Sequence, residues 1–368
     1  MTIPAFDLSR QYMAIKSEID AALAAVLARG SFILGENVAA FEREFAAYCG
    51  VEHAVGVGSG TEALHLTLLA VGIGAGDEVI TVAHTAVATV AAIELAGARP
   101  VLVDVNDTTM TMDVARVEEK ISGRTRAILP VHLYGHPADL DPLLEVGRRK
   151  DLLLIEDCAQ AHGASYRGQR VGSIGSAGCF SFYPTKNLGA YGDGGMVTTS
   201  DASIARRLRL LREYGWEERY VSALRGGTNT RLDEMQAAIL RVKLRYLDTW
   251  TQARRLLAER YRRLLAGASA LTPSEQEGAR HVYHLYVVRH KQRDGLRAFL
   301  KENGVGTGIH YPFPVHLQPG YADLASGPGS LPVTEQLAGE ILSLPMFPEL
   351  AASEVERVAE LVRRFEDR

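Results

Sequence analysis

Lys186 stands in the run FSFYPTKNLGAYGDGG (residues 180–195), among aromatic, hydroxyl and glycine residues, with Asp193 as the only other charge in the run. A free lysine amine has a pKa near ~10.4, so it must lose its proton, through burial or beside another cation, before it acts as a nucleophile. Condensation with an aldehyde meets the same need by making the amine part of a cofactor. Upstream, the apolar run LLLIEDCAQAHG (152–163) delivers Asp157 at the carboxyl end of a strand-like segment, the edge where open α/β sheets bind ligands. A carboxylate among apolar residues needs a cation or hydrogen bonds to stay charged. A protonated heterocyclic nitrogen would serve, although an aspartate here could equally cap the next turn. Earlier still, GVGSGTEALHL (56–66) leads through Ser59 and Gly60 into Thr61 and a helix-like segment. Open N–H groups at a helix start attract a phosphate. The spacing matches neither common dinucleotide nor P-loop patterns, and alone it also reads as a turn with an N-cap. Ser181, five residues before the lysine, could add a hydroxyl to the phosphate.

An imine-forming lysine, an acid opposite a pyridinium nitrogen and a phosphate cup are together what a pyridoxal phosphate enzyme requires. Lys186, Asp157 and the Ser59–Thr61 turn supply all three, in an order that suits an α/β chain.

The elements that must position them show in the hydrophobic pattern. EVITV (78–82), PVLVDV (100–105), RAILPVH (126–132) and DLLLIED (151–157) are short strand-like runs. Helix-length segments near 86–96, 113–121 and 139–150 separate them, after amphipathic helices at 9–29 and 36–49. Strand and helix in alternation predict βαβ units and a mostly parallel sheet, and near-continuous apolar strands predict burial on both faces. After residue 250 the texture changes to a long charged helix (251–267), the strand-like HVYHLYVVRH (281–290) and the proline-rich YPFPVHLQPGY (311–321). The expected division is a large α/β domain with N-terminal helices over 1–250 and a small α+β domain over 251–368, onto which the N-terminal helix packs back.

The chain resembles the DegT/DnrJ/EryC1/StrS family, the pyridoxal-phosphate-dependent nucleotide-sugar aminotransferases. The resemblance runs nearly end to end and is carried by GSFILGENVAAFEREFAAYCG, GVGSGTEALHL, GDEVITVAHTAVAT, LPVHLYGHPADLD, IEDCAQAHGA, FSFYPTKNLGAYGDGG, NTRLDEMQAAIL and IHYPFPVHLQPGY. It implies the aspartate-aminotransferase fold (fold type I) and a homodimer with active sites shared between subunits. It further implies Lys186 as Schiff-base lysine and proton shuttle, and Asp157 as partner of the pyridinium nitrogen. Gln160 would lie near the cofactor's phenolic oxygen. Ser59, Gly60, Thr61 and Ser181 would form the phosphate cup, with Asn229 reaching the phosphate from the other subunit. His162, Tyr183, His310 and Tyr311 would line the substrate site. One position departs from the pattern: Ala86 stands where the family usually stacks an aromatic residue on the pyridine ring, so His84 is the candidate to lie over the ring instead. The reaction implied is transfer of an amino group from L-glutamate to a nucleotide-linked keto-sugar, with a dTDP-3-keto-6-deoxyhexose as the nearest match. Relatives that act on 4-keto sugars or keto-inositols, or that dehydrate sugars, are the alternatives; a regulator would need a DNA-binding module that no segment suggests.

The totals narrow the field. Of 368 residues, 47% are hydrophobic and 23% charged, which is ordinary globular composition. A net charge of −4 argues against nucleic acid as a partner. The basic run RRLRLLRE (206–213) alternates with leucine and reads as the solvated face of a helix. Three cysteines without a C-x-x-C pair predict neither disulfides nor a cysteine zinc site, and eleven histidines without an H-E-x-x-H pattern give no metal site. The N-terminus lacks an apolar signal region, and apolar runs such as AVATVAAIELAG (86–97) are too short to span a bilayer. The expected location is the cytoplasm.

Overall fold

A computed structural model describes residues 2–366. At its centre is a seven-stranded sheet of β1 (His53–Val57), β2 (Glu78–Val82), β3 (Arg99–Val103), β4 (Thr125–Ile128), β5 (Leu153–Asp157), β6 (Ala177–Ser181) and β7 (Gly195–Thr199). The strand order is β1-β7-β6-β5-β4-β2-β3. β7 runs antiparallel to both neighbours, and the remaining pairs are parallel.

Both faces are buried because each strand is apolar on both sides. Val55, Val57, Val79, Ala127, Ile155, Cys179 and Val197 pack on one face, under α3 (Gly60–Ala70), α4 (Val87–Leu95) and the helix Ala202–Leu211. Alternating with them, Ala54, Phe180 and Met196 face α2 (Glu36–Cys49) and the helix Glu234–Leu244. Ile80, Ile128 and Leu154 face the helix Leu140–Lys150. This period of two sends Asp157, in step with Ile155, toward α4, and sends Glu156 to the other side.

A second core joins Tyr261, Tyr286, Val288, Leu296, Leu300, Leu342, Val355, Val358 and Leu361. It is built on the antiparallel pair Tyr286–Arg289 and Ile341–Leu344 and on the helices Arg293–Glu302 and Ala352–Glu366. The helix Leu247–Leu264 spans the expected 250/251 division. Its Trp250 packs with Ile15 and Ile19 of α1 (Leu8–Arg29), whereas Tyr261 belongs to the second core. Ahead of α1 the chain clips to the second core by an Ile3–Val305 bridge, and Arg10 makes a two-pronged ion pair with Glu354 at 2.8 Å.

Two local expectations are corrected. Residues 113–121 form two short 3₁₀ turns, Val114–Arg116 and Glu118–Lys120, instead of an α-helix. The strand expected over 281–290 is confined to Tyr286–Arg289, because Tyr283 adopts a left-handed φ of 47° that ends pairing before it. The basic run at 206–213 lies largely in Ala202–Leu211, burying Ala205, Leu208 and Leu211 and leaving most of its arginines exposed. No described helix is long and apolar enough to cross a membrane.

Candidate active site

Register brings the predicted chemistry to one edge. Asp157 at the end of β5 sits opposite Cys179, and Ser181 at the end of β6 sits opposite Gly195. Gly195 also pairs with Val57, whose strand runs on into the glycine turn. A Cβ on Gly195 would lie 2.2 Å from the Ser59 carbonyl oxygen, so only glycine lets that turn close on the sheet. Ser59 caps α3, its hydroxyl accepting from the Glu62 N–H at 3.2 Å. The Gly60 and Thr61 amides are left open, as at any helix start. A Cβ on Gly60 would come within 2.5 Å of the Ser181 Cβ. Glycine therefore holds open a cradle of amides and one hydroxyl that suits a phosphate.

Asp157 is buried, and burial raises its pKa. The Ala159 N–H and the Thr89 hydroxyl, at 3.1 and 2.8 Å, and the charge of Lys186 pull it back. Thr89 in turn touches Thr85 at 2.8 Å. Lys186 lines a cavity of about 310 Å³ with Gln160, Tyr183, Arg254, His284, His310 and Tyr311. Burial lowers its pKa to about 8, against the opposing pull of Asp157. The amine is thus partly neutral near pH 7.5, a state an exposed lysine hardly reaches. Its loop is anchored on three sides. The Asn187 amide donates to the Val282 carbonyl at 3.2 Å. The Tyr191 N–H donates to Gln236 at 2.9 Å. The fully buried Lys243 ammonium donates to the Gly189 carbonyl at 2.7 Å, over the ring of Tyr191.

Behind Asp157 the chain buries a second carboxylate. Glu156 accepts from the amides of Gly172, Ile174 and Gly175 at 2.8–2.9 Å and meets His132 Nε2 at 3.1 Å. Because His132 Nδ1 accepts from the Ala138 N–H, the ring proton sits on Nε2 and points at Glu156. Cys158 lies within metal-ligand reach of this pair. With its oxygens taken by protein donors, Glu156 acts as a strut of β5.

The other expected residues are distributed as follows. Gln160 accepts from the Tyr134 N–H at 2.7 Å and donates to the Tyr311 hydroxyl at 3.1 Å. His310 Nδ1 meets Ser343 at 2.8 Å. Tyr183 is 54% exposed at the cavity rim. Asn229 lines a shallow cavity with Gly58 and Ser59 of its own chain. Ala86 precedes the first turn of α4. His84 is buried, with Nε2 2.9 Å from the Tyr134 hydroxyl. His162 does not reach the cavity wall: it is fully buried against Phe180 and Phe182. Tyr134, Thr89, Asn187 and Lys243 were not legible as site residues, since their roles arise from contacts far apart in the chain.

Burial lowers the His84 pKa to about 4, and burial with the nearby Lys186 charge lowers that of His162 to about 3. In the unfolded chain both titrate near 6.5, so below that pH the unfolded state binds more protons and stability falls as pH drops. Each contributes a slope approaching about 1.4 kcal/mol per pH unit between 6.5 and 4. Urea unfolding at pH 7 and pH 5 checks this: equal stabilities would mean that neither ring is held neutral by the fold.

Known proteins match this arrangement. The profile of the DegT/DnrJ/EryC1/StrS aminotransferase family fits residues 13–363. The erythromycin biosynthesis sensory transduction protein EryC1 of Saccharopolyspora erythraea is 52% identical over 97% of this chain and 98% of its own. The dTDP-3-amino-3,4,6-trideoxy-alpha-D-glucose transaminase of Streptomyces venezuelae is 49% identical over 100% of this chain and 97% of its own. The crystal structure of S. venezuelae DesV in complex with a ketimine intermediate superposes with a TM-score of 0.98, at 49% identity, over 100% of this chain and 99% of that one.

Proposed function

Because the chain belongs to the DegT/DnrJ/EryC1/StrS aminotransferase family, we propose that it aminates a nucleotide-linked keto-sugar, a dTDP-3-keto-6-deoxyhexose, with L-glutamate as donor. It is a pyridoxal-phosphate-dependent enzyme of the nucleotide-sugar aminotransferase type. The observation that carries this reading is the convergence of Lys186, Asp157 and the Gly60–Ser181 cradle on one sheet edge beside a cavity of about 310 Å³. The relatives' names point both to transamination and to sensory transduction. Chemistry is favoured, because a binding protein needs no half-buried lysine with its pKa lowered to about 8 beside a carboxylate.

The residues fit the cofactor. Pyridoxal phosphate supplies, when bound, an aldehyde for amines and a ring that accepts the electron pair of a breaking bond. The amides of Gly60 and Thr61 and the hydroxyl of Ser181 would hold its phosphate. Asp157, which accepts from Ala159 and Thr89, would pair with the ring nitrogen and hold it protonated. Lys186 would hold the cofactor's aldehyde and serve as the base that moves a proton at the substrate carbon. His84 would take the place of the aromatic residue missing at Ala86. Tyr183, His310 and Tyr311 shape the sugar side, and hydrogen bonds to hydroxyls there set selectivity. The protein acts in the cytoplasm as a homodimer, with Asn229 of one protomer completing the phosphate site of its partner.

The test is spectroscopic. L-Glutamate should bleach the visible band of the cofactor-loaded protein, and a dTDP-3-keto-6-deoxyhexose should restore it. A band unmoved by glutamate would sink the donor assignment. Restoration only by a 4-keto sugar or a keto-inositol would move the substrate to that class.

A further inference from the structure

Tyr134 sits where three parts of the site meet. Its backbone is left-handed, at φ 60°, a conformation that strains a bulky residue and is kept only where the surroundings hold it. The backbone N–H donates to Gln160 Oε1 at 2.7 Å, which turns the Gln160 amide so that its Nε2 donates to the Tyr311 hydroxyl. The Tyr134 hydroxyl donates to the main-chain carbonyl of His310. With its proton committed there, the oxygen accepts from His84, which must carry its hydrogen on Nε2. The two rings meet edge to face, 5.9 Å apart. Burial keeps both groups neutral, lowering the His84 pKa to about 4 and raising that of Tyr134.

We propose that Tyr134 is a positioning residue that couples the two walls of the site. One hydroxyl fixes the tautomer and tilt of His84 on the cofactor side and the His310–Tyr311 main chain on the sugar side. Sugar affinity then depends on a residue placed behind both walls. This rests on the functional reading above.

The test compares Tyr134→Phe, which keeps every buried carbon, with wild type, both loaded with pyridoxal phosphate. The probe is dTDP-3-amino-3,4,6-trideoxy-alpha-D-glucose, run in the reverse half-reaction and followed by bleaching of the visible band. We expect Kd for the amino sugar to rise at least tenfold while the limiting rate constant stays within threefold. Amide hydrogen exchange over residues 308–312 should quicken without ligand. A general loss of packing would lower the rate constant and the melting temperature together and would not single out Kd. A second variant, His84→Leu, leaves Tyr134 in place and should raise the sugar Kd severalfold by the same route; it carries the test if Tyr134→Phe does not fold. Sugar Kd within twofold of wild type in both variants overturns the coupling. If wild type fails to react with the amino sugar, the substrate reading has failed; the coupling then stands on faster exchange over 308–312 in Tyr134→Phe, and exchange equal to wild type overturns it.

Discussion

Replacing Lys186 with alanine should leave a folded protein that no longer turns over. The amine makes no hydrogen bond or ion pair among the described residues, so truncation breaks no direct contact, but it removes the charge that steadies the buried Asp157 carboxylate. Burial already disfavours its charge, as the pKa lowered to about 8 shows. Relief of that burial and loss of the support to Asp157 oppose each other, so stability in the absence of cofactor should change little. Activity is a separate matter. In the proposed function the same amine would both carry the cofactor and move the proton at the substrate carbon, and proton transfer alone is worth roughly 10²–10⁴-fold. We expect Lys186→Ala to lose at least about 10⁴-fold in turnover. The visible spectrum of the variant mixed with pyridoxal phosphate should lack the band of the lysine-bound form. Turnover within a hundredfold of wild type would mean another group, such as His310 or Tyr183, supplies the base.

Much of this site was readable because it depends on short-range rules. An apolar run of strand length marked where β5 ends, and a parallel sheet gathers such ends at one edge; the strand Ala177–Ser181 was not anticipated. Asp157 was placed by that rule, whereas Ser181 was named for its spacing from Lys186 and the Gly60 turn as the start of a helix. The anchors were not. Tyr134 reaches His84, 50 residues away, and His310, 176 away. Its left-handed backbone has no hydrophobic period to announce it. Lys243 lies on a helix whose pattern gives no hint that its amine ends on the carbonyl of Gly189. His162 shows the opposite case. It stands two residues after Gln160 in a motif that reads as active site, yet its ring is packed between Phe180 and Phe182. Gly163, at φ 82°, turns the chain directly after it, so spacing along the motif does not translate into facing the cavity. The segment 113–121 fails as a helix for a local reason: Asp113 caps the Ala115 N–H and the turn tightens to 3₁₀ geometry before a stable α-helical length is reached.

Asp157→Asn separates the cost of the site from its use. In the fold the aspartate pKa is raised, burial outweighing the hydrogen bonds and the Lys186 charge that oppose it. A raised carboxylate pKa means the folded state holds its proton more tightly than the unfolded state. Its ionisation therefore subtracts from stability above the folded pKa, and the penalty fades as pH falls through the folded pKa and is gone below the unfolded value near ~3.9. Asparagine removes that penalty and keeps the contacts. Its Oδ1 can accept from the Ala159 N–H, and its Nδ2 can donate to Thr89, whose own proton turns toward Thr85. At pH 7 the cofactor-free variant should be at least as stable as wild type in urea. With cofactor the balance reverses. An amide cannot hold the ring nitrogen protonated, and losing such a preorganised charge costs roughly 10²–10³-fold in turnover. A third readout ties the two residues together. The Asp157 charge raises the Lys186 pKa from within the same site, so removing it should move the pH midpoint for capture of pyridoxal phosphate by Lys186 downward. Full activity in Asp157→Asn would place the partner of the ring nitrogen elsewhere. An unmoved midpoint alongside lost activity would mean that Asp157 acts on the ring alone and that the amine draws its lowered pKa from burial.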